Sequence, residues 1–431
     1  MKFHIITLGC KINQYESQAI AESLSARGFT YISSPEQAGT IIINSCAVTS
    51  RAVRDLKKIC RKTGRANPRA RIIITGCAAQ VLENELSLLK EVNKVIPQQE
   101  KRALLTGLDP LAEDALDSPD FFISDYFRSR AVIKVQDGCT HRCTYCIVPL
   151  TRGKSVSRPP EIILEEITRL LTRGFNEITL GGINLRLYGR DLNPGMDFWD
   201  LIKFLQTNIP FESRPGLRIR LSSLEPSELN DKALETIAAS SMLCPHLHIS
   251  LQSGSPAVLE KMNRSHYNPL DLMDFSRKLK HIWPVFAMGA DILAGFPEET
   301  EENFQKTTEL VQDLPLSYAH VFPYSPRPDT PAASFADQVK DQEKKSRTRK
   351  LSALIQRKKQ FFLHRLSNLE RLNLVMENET KGMSEYYVEC VLNQPVSARP
   401  KQLIQAKPLY VRDNKLIVEP VQTVKKQTGM L

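Results

Sequence analysis

Three times in its first 80 residues this chain runs an apolar stretch of strand length into a small residue and a cysteine. Phe3–Leu8 precedes Gly9-Cys10, Thr40–Asn44 precedes Ser45-Cys46, and Arg71–Thr75 precedes Gly76-Cys77. Between these runs lie stretches of helical composition: Asn13 to Arg27, closed by Gly28, and a basic one from about Ser50. Short apolar runs alternating with helices restrict the chain to an α/β fold with a mostly parallel sheet. In such a sheet the C-terminal strand ends share one edge, where ligands bind. Cysteines placed 36 and 31 residues apart then converge on that edge, unless they are three unrelated buried thiols.

Residues 90 to 128 carry less pattern. Asp109-Pro110, Ser118-Pro119 and the acids around Asp114 read as a connector, and we set a domain boundary near Asp125. The middle of the chain repeats the β-α rhythm, with strands expected at Ala131–Gln136, Glu177–Leu180, Leu217–Leu221, His246–Leu251, Met288–Leu293 and Ala319–Pro323. Helices are expected at Pro160–Arg173, Ser227–Ala239 and Glu299–Leu314. Six such units fit a barrel or an open part-barrel, with its chemistry at the strand C-termini. From Asp337 to about Leu369 a basic segment without Pro or Gly predicts a helix. Strands are expected at Leu372–Glu377, Tyr386–Leu392, Leu409–Arg412 and Leu416–Glu419, with Asp413-Asn414 as a two-residue turn. A small oligonucleotide-binding type of β-barrel accommodates them.

Charge is uneven. The net charge is +10, but Arg51–Arg71 carries +8 and Ala336–Arg371 carries +7, leaving the rest at −5. Concentrated positive charge favours a polyanion partner, with solvated helix faces as the plain alternative. Arg51, Arg54, Lys58, Lys62 and Arg65 recur every three or four residues and form one helical stripe suited to phosphates. The N-terminus is too short and polar for a signal peptide, and no run of 18 uncharged apolar residues suggests a membrane span. We read a cytoplasmic chain with no membrane partner, reduced thiols and no heptad seam, hence a monomer.

The strongest signal is Gly138-Cys139-Thr140-His141-Arg142-Cys143-Thr144-Tyr145-Cys146, a C-x3-C-x2-C spacing directly after a strand. Three thiolates this close wrap one compact centre. A structural zinc wants four ligands, of which His141 offers a fourth. A four-iron cubane held by three thiolates keeps one iron open to a substrate, and this is the favoured reading. Cys60, Cys244 and Cys390 show no ligand spacing and read as structural thiols.

The spacing resembles the signature of the radical S-adenosylmethionine enzymes. That resemblance implies a 4Fe-4S cluster on Cys139, Cys143 and Cys146, S-adenosylmethionine chelating its open iron, and a 5′-deoxyadenosyl radical after one-electron reduction. It also implies cofactor contacts from Tyr145, from Gly181 and Gly182 after the second strand, from Ser222 and Ser223 after the third, and from Gln252 after the fourth. Gly295 in Asp291-Ile292-Leu293-Ala294-Gly295-Phe296-Pro297, and Glu299 beyond it, resemble the segment beside the adenine.

Over the whole chain the phrases Leu8-Gly9-Cys10-Lys11-Ile12-Asn13-Gln14-Tyr15-Glu16-Ser17, Ile43-Asn44-Ser45-Cys46 and Thr75-Gly76-Cys77-Ala78-Ala79-Gln80 are similar to those of the methylthiotransferases. So are Thr151-Arg152-Gly153, Leu221-Ser222-Ser223-Leu224-Glu225-Pro226 and Leu251-Gln252-Ser253-Gly254-Ser255. The resemblance implies three parts. Residues 1–120 would be a flavodoxin-like α/β domain with a second 4Fe-4S cluster on Cys10, Cys46 and Cys77. Residues 125–355 would be a radical (β/α)6 part-barrel. Residues 356–431 would hold the basic helix and a TRAM-like RNA-binding β-barrel.

No catalytic residues beyond the cluster ligands are implied. The first cluster would generate the radical and the second would present the sulfur, both facing one cavity. Two S-adenosylmethionine molecules, a tRNA and an electron donor such as a flavodoxin or ferredoxin are the implied partners. Cys10-Lys11-Ile12-Asn13 and Val135-Gln136-Asp137-Gly138 resemble the branch that acts on N6-threonylcarbamoyladenosine at position 37, beside the tRNA anticodon. His141-Arg142 and Arg186-Leu187 depart from that branch. The isopentenyladenosine branch, the branch acting on a ribosomal-protein aspartate, and a noncatalytic metal-binding RNA module are the competing readings.

Overall fold

The computed structural model describes residues 1–109, 120–193, 195–210 and 216–421. The connector expected around Asp114, with Pro110, Ser118 and Pro119, lies outside the described residues. Strands β1 (Lys2–Thr7), β2 (Thr30–Tyr31), β3 (Thr40–Ser45), β4 (Arg71–Gly76) and β5 (Lys94–Pro97) form one parallel sheet in the order β2-β1-β3-β4-β5. β3, TIIINS, is buried at every position, as a central strand covered on both faces must be. This is the flavodoxin-like order, whose switch point lies between β1 and β3. Helix α1 (Lys11–Ala26) covers one face, helix α2 (Ser50–Ala66) the other, and α3 (Cys77–Val81) follows β4. Thr49 caps α2, its hydroxyl accepting from the Ala52 amide at 3.1 Å.

The second part is an arc of parallel strands. A first group contains β6 (Ala131–Lys134), β9 (Glu177–Gly181) and β10 (Arg218–Leu221); a second contains β11 (Ser223–Leu224), β12 (His246–Gln252), β13 (Ala287–Ala294) and β14 (Leu316–Pro323). The short pair β7 (Gln136–Asp137) and β8 (Val156–Ser157) follows β6. β10 and β11 are one path broken at Ser222, so the arc has six strands, as the sequence predicts. Its core merges with α1 through Tyr15, Ile20 and Leu24.

The third part is a closed five-stranded barrel, β15-β16-β17-β19-β18. It comprises β15 (Leu372–Asn378), β16 (Lys381–Ser384), β17 (Glu389–Leu392), β18 (Leu403–Arg412) and β19 (Lys415–Pro420). Helix Asp341–Ser367 leads into it without a break at residue 355 and packs on β14 and β18. Asp413 and Asn414, at φ 50° and 61°, make the expected turn.

Three expectations need correction. The stretch read as a connector holds β5 and the turn-rich helix Gln98–Leu105, and Phe121, Ile123 and Tyr126 are core residues. A four-residue strand is too short to show a period. The helix expected at Ser227–Ala239 starts only at Asp231, because Asn230 accepts from the Ala233 amide and Pro226–Glu228 forms a separate turn. The strand expected at Tyr386–Leu392 begins at Glu389, while Lys381–Ser384, not expected, is a strand.

A candidate active site between two cysteine triads

Cys10 ends the loop after β1, Cys46 follows β3, and Cys77 opens α3 after β4. Gly9 and Gly76 both sit at φ 96°, the left-handed region that suits glycine. A Cβ on Gly9 would lie 2.7 Å from Cys46 Cβ and 3.0 Å from its Sγ; one on Gly76 would lie 2.6 Å from the Ser45 nitrogen. Glycine is thus what lets three loops close on one point. Asn13 clasps two of them, its Nδ2 donating to Leu8 O at 2.8 Å and Ser45 O at 2.9 Å. Ser45 donates to Thr75 O at 2.5 Å, tying in the third. Burial, then the neighbouring Cys77 and Cys10, push the Cys46 thiol up to about 11.

Cys139, Cys143 and Cys146 lie in the loop after β7. Gly138 turns this loop at φ 66°, where a Cβ would strike the Lys154 carbonyl. Asn184 Nδ2 donates to Cys139 Sγ at 3.5 Å, and Arg264 Nη1 to Cys143 Sγ at 3.6 Å. Arg264 is itself held by Glu225 and by Ser250 O. Burial, then Cys143 and Cys139, push the Cys146 thiol up to about 12. The His141 imidazole is engaged by Asn263 O at 2.7 Å through Nε2.

The elements that carry the two triads pack together. α3, which begins with Cys77, packs on helix Val148–Arg152, which starts two residues after Cys146. Arg152 reaches into a buried knot: its Nη1 lies 3.0 Å from Glu16 and 2.8 Å from Asp137, and its Nη2 2.6 Å from Asn13. Lys101 and Lys134 join Glu16 at 2.7 and 3.0 Å. Burial works against Arg152's charge, but Asp137, Glu16 and then the Cys77 and Cys10 thiols hold its pKa well above the ordinary value. Three cations against two carboxylates leave one positive charge beside the thiols. Arg327, in the loop beyond β14, donates to Ser50 Oγ at 3.0 Å at the start of α2.

Comparison with known proteins bears on this arrangement. Residues 2–97 match the uncharacterized protein family UPF0004, and residues 133–311 match the radical SAM superfamily. A threonylcarbamoyladenosine tRNA methylthiotransferase of Rickettsia prowazekii is 35% identical over 405 residues, covering 91% of this chain and 92% of its own. That of Thermotoga maritima is 37% identical over 404 residues, covering 89% and 90%. The chain belongs to the tRNA methylthiotransferase family. A tRNA-2-methylthio-N(6)-dimethylallyladenosine synthase of Clostridium botulinum is 34% identical, covering 82% of this chain and 81% of its own. Among solved structures, a radical S-adenosylmethionine methyltransferase of Kitasatospora setae, with cobalamin and a [4Fe-4S] cluster bound, shares the fold. Its TM-score is 0.58 at 13% identity, over 77% of each chain.

In this methylthiotransferase most of the residues singled out from sequence lie at or just beyond the C-terminal ends of the arc's strands. A Cβ on Gly181 would lie 3.3 Å from Ile12, two residues past Cys10, and one on Gly182 would lie 3.1 Å from Gln136. Ser222 is the break between β10 and β11 and Ser223 opens β11, and the buried Ser222 hydroxyl has no partner among the described residues. Gln252 sits at φ 60°, a strained value for a non-glycine residue. Tyr145 packs edge-on to Phe296 at 6.3 Å. Gly295 lies against Lys344, and Glu299 accepts from the Gly295 amide and from Arg347, both at 2.7 Å. Glu299 therefore fixes the Gly295 turn, and Lys344 and Arg347 of the basic helix face inward. Arg51, Arg54, Lys58, Lys62 and Arg65 are all exposed along α2.

Asn13, Glu16, Arg152 and Glu225 stand inside the family-like phrases, yet nothing in the sequence shows what they do. Lys101, Lys134 and Arg264 belong to no motif at all. Their signal is a charged residue at a position that burial forbids to a lone charge, which appears only once the partners are adjacent.

Proposed function

We propose that this methylthiotransferase converts N6-threonylcarbamoyladenosine at position 37 of tRNA to its 2-methylthio form, with Cys139, Cys143 and Cys146 holding one 4Fe-4S cluster and Cys10, Cys46 and Cys77 a second. The observation that supports the reading is that the elements carrying two three-thiol sets pack on one another, α3 with Cys77 against helix Val148–Arg152 just after Cys146. The donor chemistry fits: all-thiolate sets suit iron–sulfur clusters, and burial disfavours the Cys46, Cys143 and Cys146 thiolates unless iron shares their charge. The buried cations Arg152 and Arg264 add positive charge beside each set. The Ser222 hydroxyl and Asn184 Oδ1 beside Cys139, both without a partner among the described residues, are polar groups left for a ligand such as S-adenosylmethionine.

When bound, the clusters and two S-adenosylmethionine molecules supply the electron, the hydrogen-abstracting radical, the sulfur and the methyl group. The chain's own residues do the positioning. Gly181, Gly182, Gln252 and Tyr145 line the cofactor side, and the Asn13–Glu16–Arg152 knot sets the distance between the two sets. The exposed α2 stripe, starting at Arg51, five residues after Cys46, offers a track for phosphates. The substrate branch follows the relatives of Rickettsia and Thermotoga.

The test is anaerobic: reconstituted protein, reductant, S-adenosylmethionine and tRNA lacking the methylthio mark, with digested nucleosides weighed. A methylthio increment on threonylcarbamoyladenosine is expected. An increment on isopentenyladenosine instead would move the protein to the other tRNA branch; none, with 5′-deoxyadenosine still released, would point to a protein substrate.

A further inference from the structure

Lys11 follows Cys10 directly, at the start of α1, and reaches towards the C-terminal barrel. Its ammonium stands 5.5 Å from the centroid of Tyr387, a ring delivered from the C-terminal barrel on a backbone at φ 59°. Two other cations converge on the same ring, Arg220 at 5.1 Å and Arg130 at 5.7 Å. Arg220 is neutralised by Glu177 at 2.8 Å and Arg130 pairs with Glu377 at 3.0 Å. Among the described residues Lys11 has no ion-pair or hydrogen-bond partner. Lys11 is half-buried and has no ion-pair partner there, and a cation with little water and no paired anion is a place that suits an anion from outside.

From Tyr387 a ladder of rings leads along the inner wall. Tyr318 lies 5.9 Å from Tyr387, His248 lies 5.5 Å from Tyr318, and His320 lies 5.3 Å from His248. The ladder ends on Asp291 Oδ1, which accepts from His248 Nε2 and His320 Nδ1, each at 3.1 Å. The ligand atoms of these three residues lie within 4.8 Å of one another. Both imidazoles spend a proton on the same oxygen, which leaves Asp291 Oδ2 as an acceptor without a partner among the described residues. The wall thus offers a cation at one end, aromatic faces along its length, and an acceptor flanked by imidazoles at the other.

We propose that this wall is the subsite for the N6 arm of the substrate, with Lys11 as the residue that selects an anionic arm. The proposal rests on the substrate reading above. A threonylcarbamoyl arm carries one carboxylate, a hydroxyl and urea N–H groups, whereas an isopentenyl arm carries none of these. The carboxylate takes Lys11, and the hydroxyl or N–H donors take Asp291. Three parts of the chain meet here: Lys11 from the first, the His–Asp–His wall from the second, Tyr387 from the third. Arm selection is therefore coupled to the docking of all three.

The test is a binding titration of reconstituted holoprotein with anticodon stem-loop RNAs. One RNA carries N6-threonylcarbamoyladenosine, a second its neutral carboxamide, a third isopentenyladenosine. A charge-assisted contact predicts that the wild type prefers the acid to the amide by about tenfold. K11M should bind both alike, and K11R should restore the preference. An undiminished preference in K11M would overturn the proposal, as would equal wild-type binding of acid and amide. So would a K11M protein whose lost preference accompanies lost iron, since Lys11 would then act through the metal centre. Because the amide comparison uses the wild-type protein, it holds even if K11M fails to fold. The third RNA separates the two ideas: tight binding and methylthiolation of it alone would sink the substrate reading itself.

Discussion

The two cysteine triads are assembled by opposite routes. Cys139, Cys143 and Cys146 are neighbours in sequence, and one loop turned at Gly138 brings them together. Cys10, Cys46 and Cys77 come from three strand ends, and meet only because β1, β3 and β4 are adjacent and parallel. Gly9 and Gly76 then remove the side chains that would keep the loops apart. A local triad survives as long as its loop does. A topological triad depends on the whole sheet, and its loops are pinned by Asn13 and Ser45. The first set can therefore be read from spacing, while the second needs the strand order.

The largest effect separates the two sets by job. C143A should abolish both 5′-deoxyadenosine release and product, whereas C46A should keep the release and lose the product. Liquid chromatography of both species from one reaction checks this, and equal loss in both variants would erase the distinction.

Next comes the knot between them. Glu16 is fully buried and faces Arg152, Lys101 and Lys134. E16Q leaves those cations short of an anion and should destabilise the protein by about 3–5 kcal/mol. Denaturant titration reads this; a destabilisation under about 1 kcal/mol would mean that water reaches the knot.

A smaller effect concerns the joint away from the triads. Burial opposes the charge of Glu177, but Arg220 and Arg218 outweigh it and hold its pKa at about 2. Arg218 and Arg220 also donate to the Asn373, Met383, Ser384 and Glu385 carbonyls of the C-terminal barrel. Because the folded pKa is depressed, this stability is present above pH 4.5 and is lost as pH falls from there towards 2. The loss should be about 3 kcal/mol, and E177Q should flatten that stretch of the stability-versus-pH curve. An unchanged slope in E177Q would place the acid sensitivity elsewhere.

The smallest effect is on the approach of RNA. Reversing the charges of Lys58 and Lys62 should leave cofactor cleavage intact and weaken tRNA binding. The salt slope of log Kd should fall by about 1 for each phosphate that is no longer neutralised. A slope equal to that of the wild type would show that α2 is a solvated face.

Much of the frame was legible because parallel strands that are buried on both faces read as unbroken apolar runs, as at Thr40–Ser45 and Arg71–Gly76. The six-strand arc and the turn at Asp413-Asn414 followed from the same kind of signal. β5 and Lys381–Ser384 were not legible, since four residues give no period and their burial comes from neighbours. At the site, thiol spacing announced the loop triad and strand ends announced the other. The pins and counter-charges, Asn13, Glu16, Arg152 and Arg264, were silent. A polar residue in a helix or loop does not reveal from sequence whether a distant partner will bury it.

The most direct measurement is the iron and sulfide content of the reconstituted protein, taken together with 5′-deoxyadenosine release, before and after Cys10, Cys46 and Cys77 are all exchanged for alanine. Two independent centres predict that half of the iron and sulfide is lost while release persists. Full iron retention, or loss of all iron together with release, would contradict the assignment of one centre to each triad.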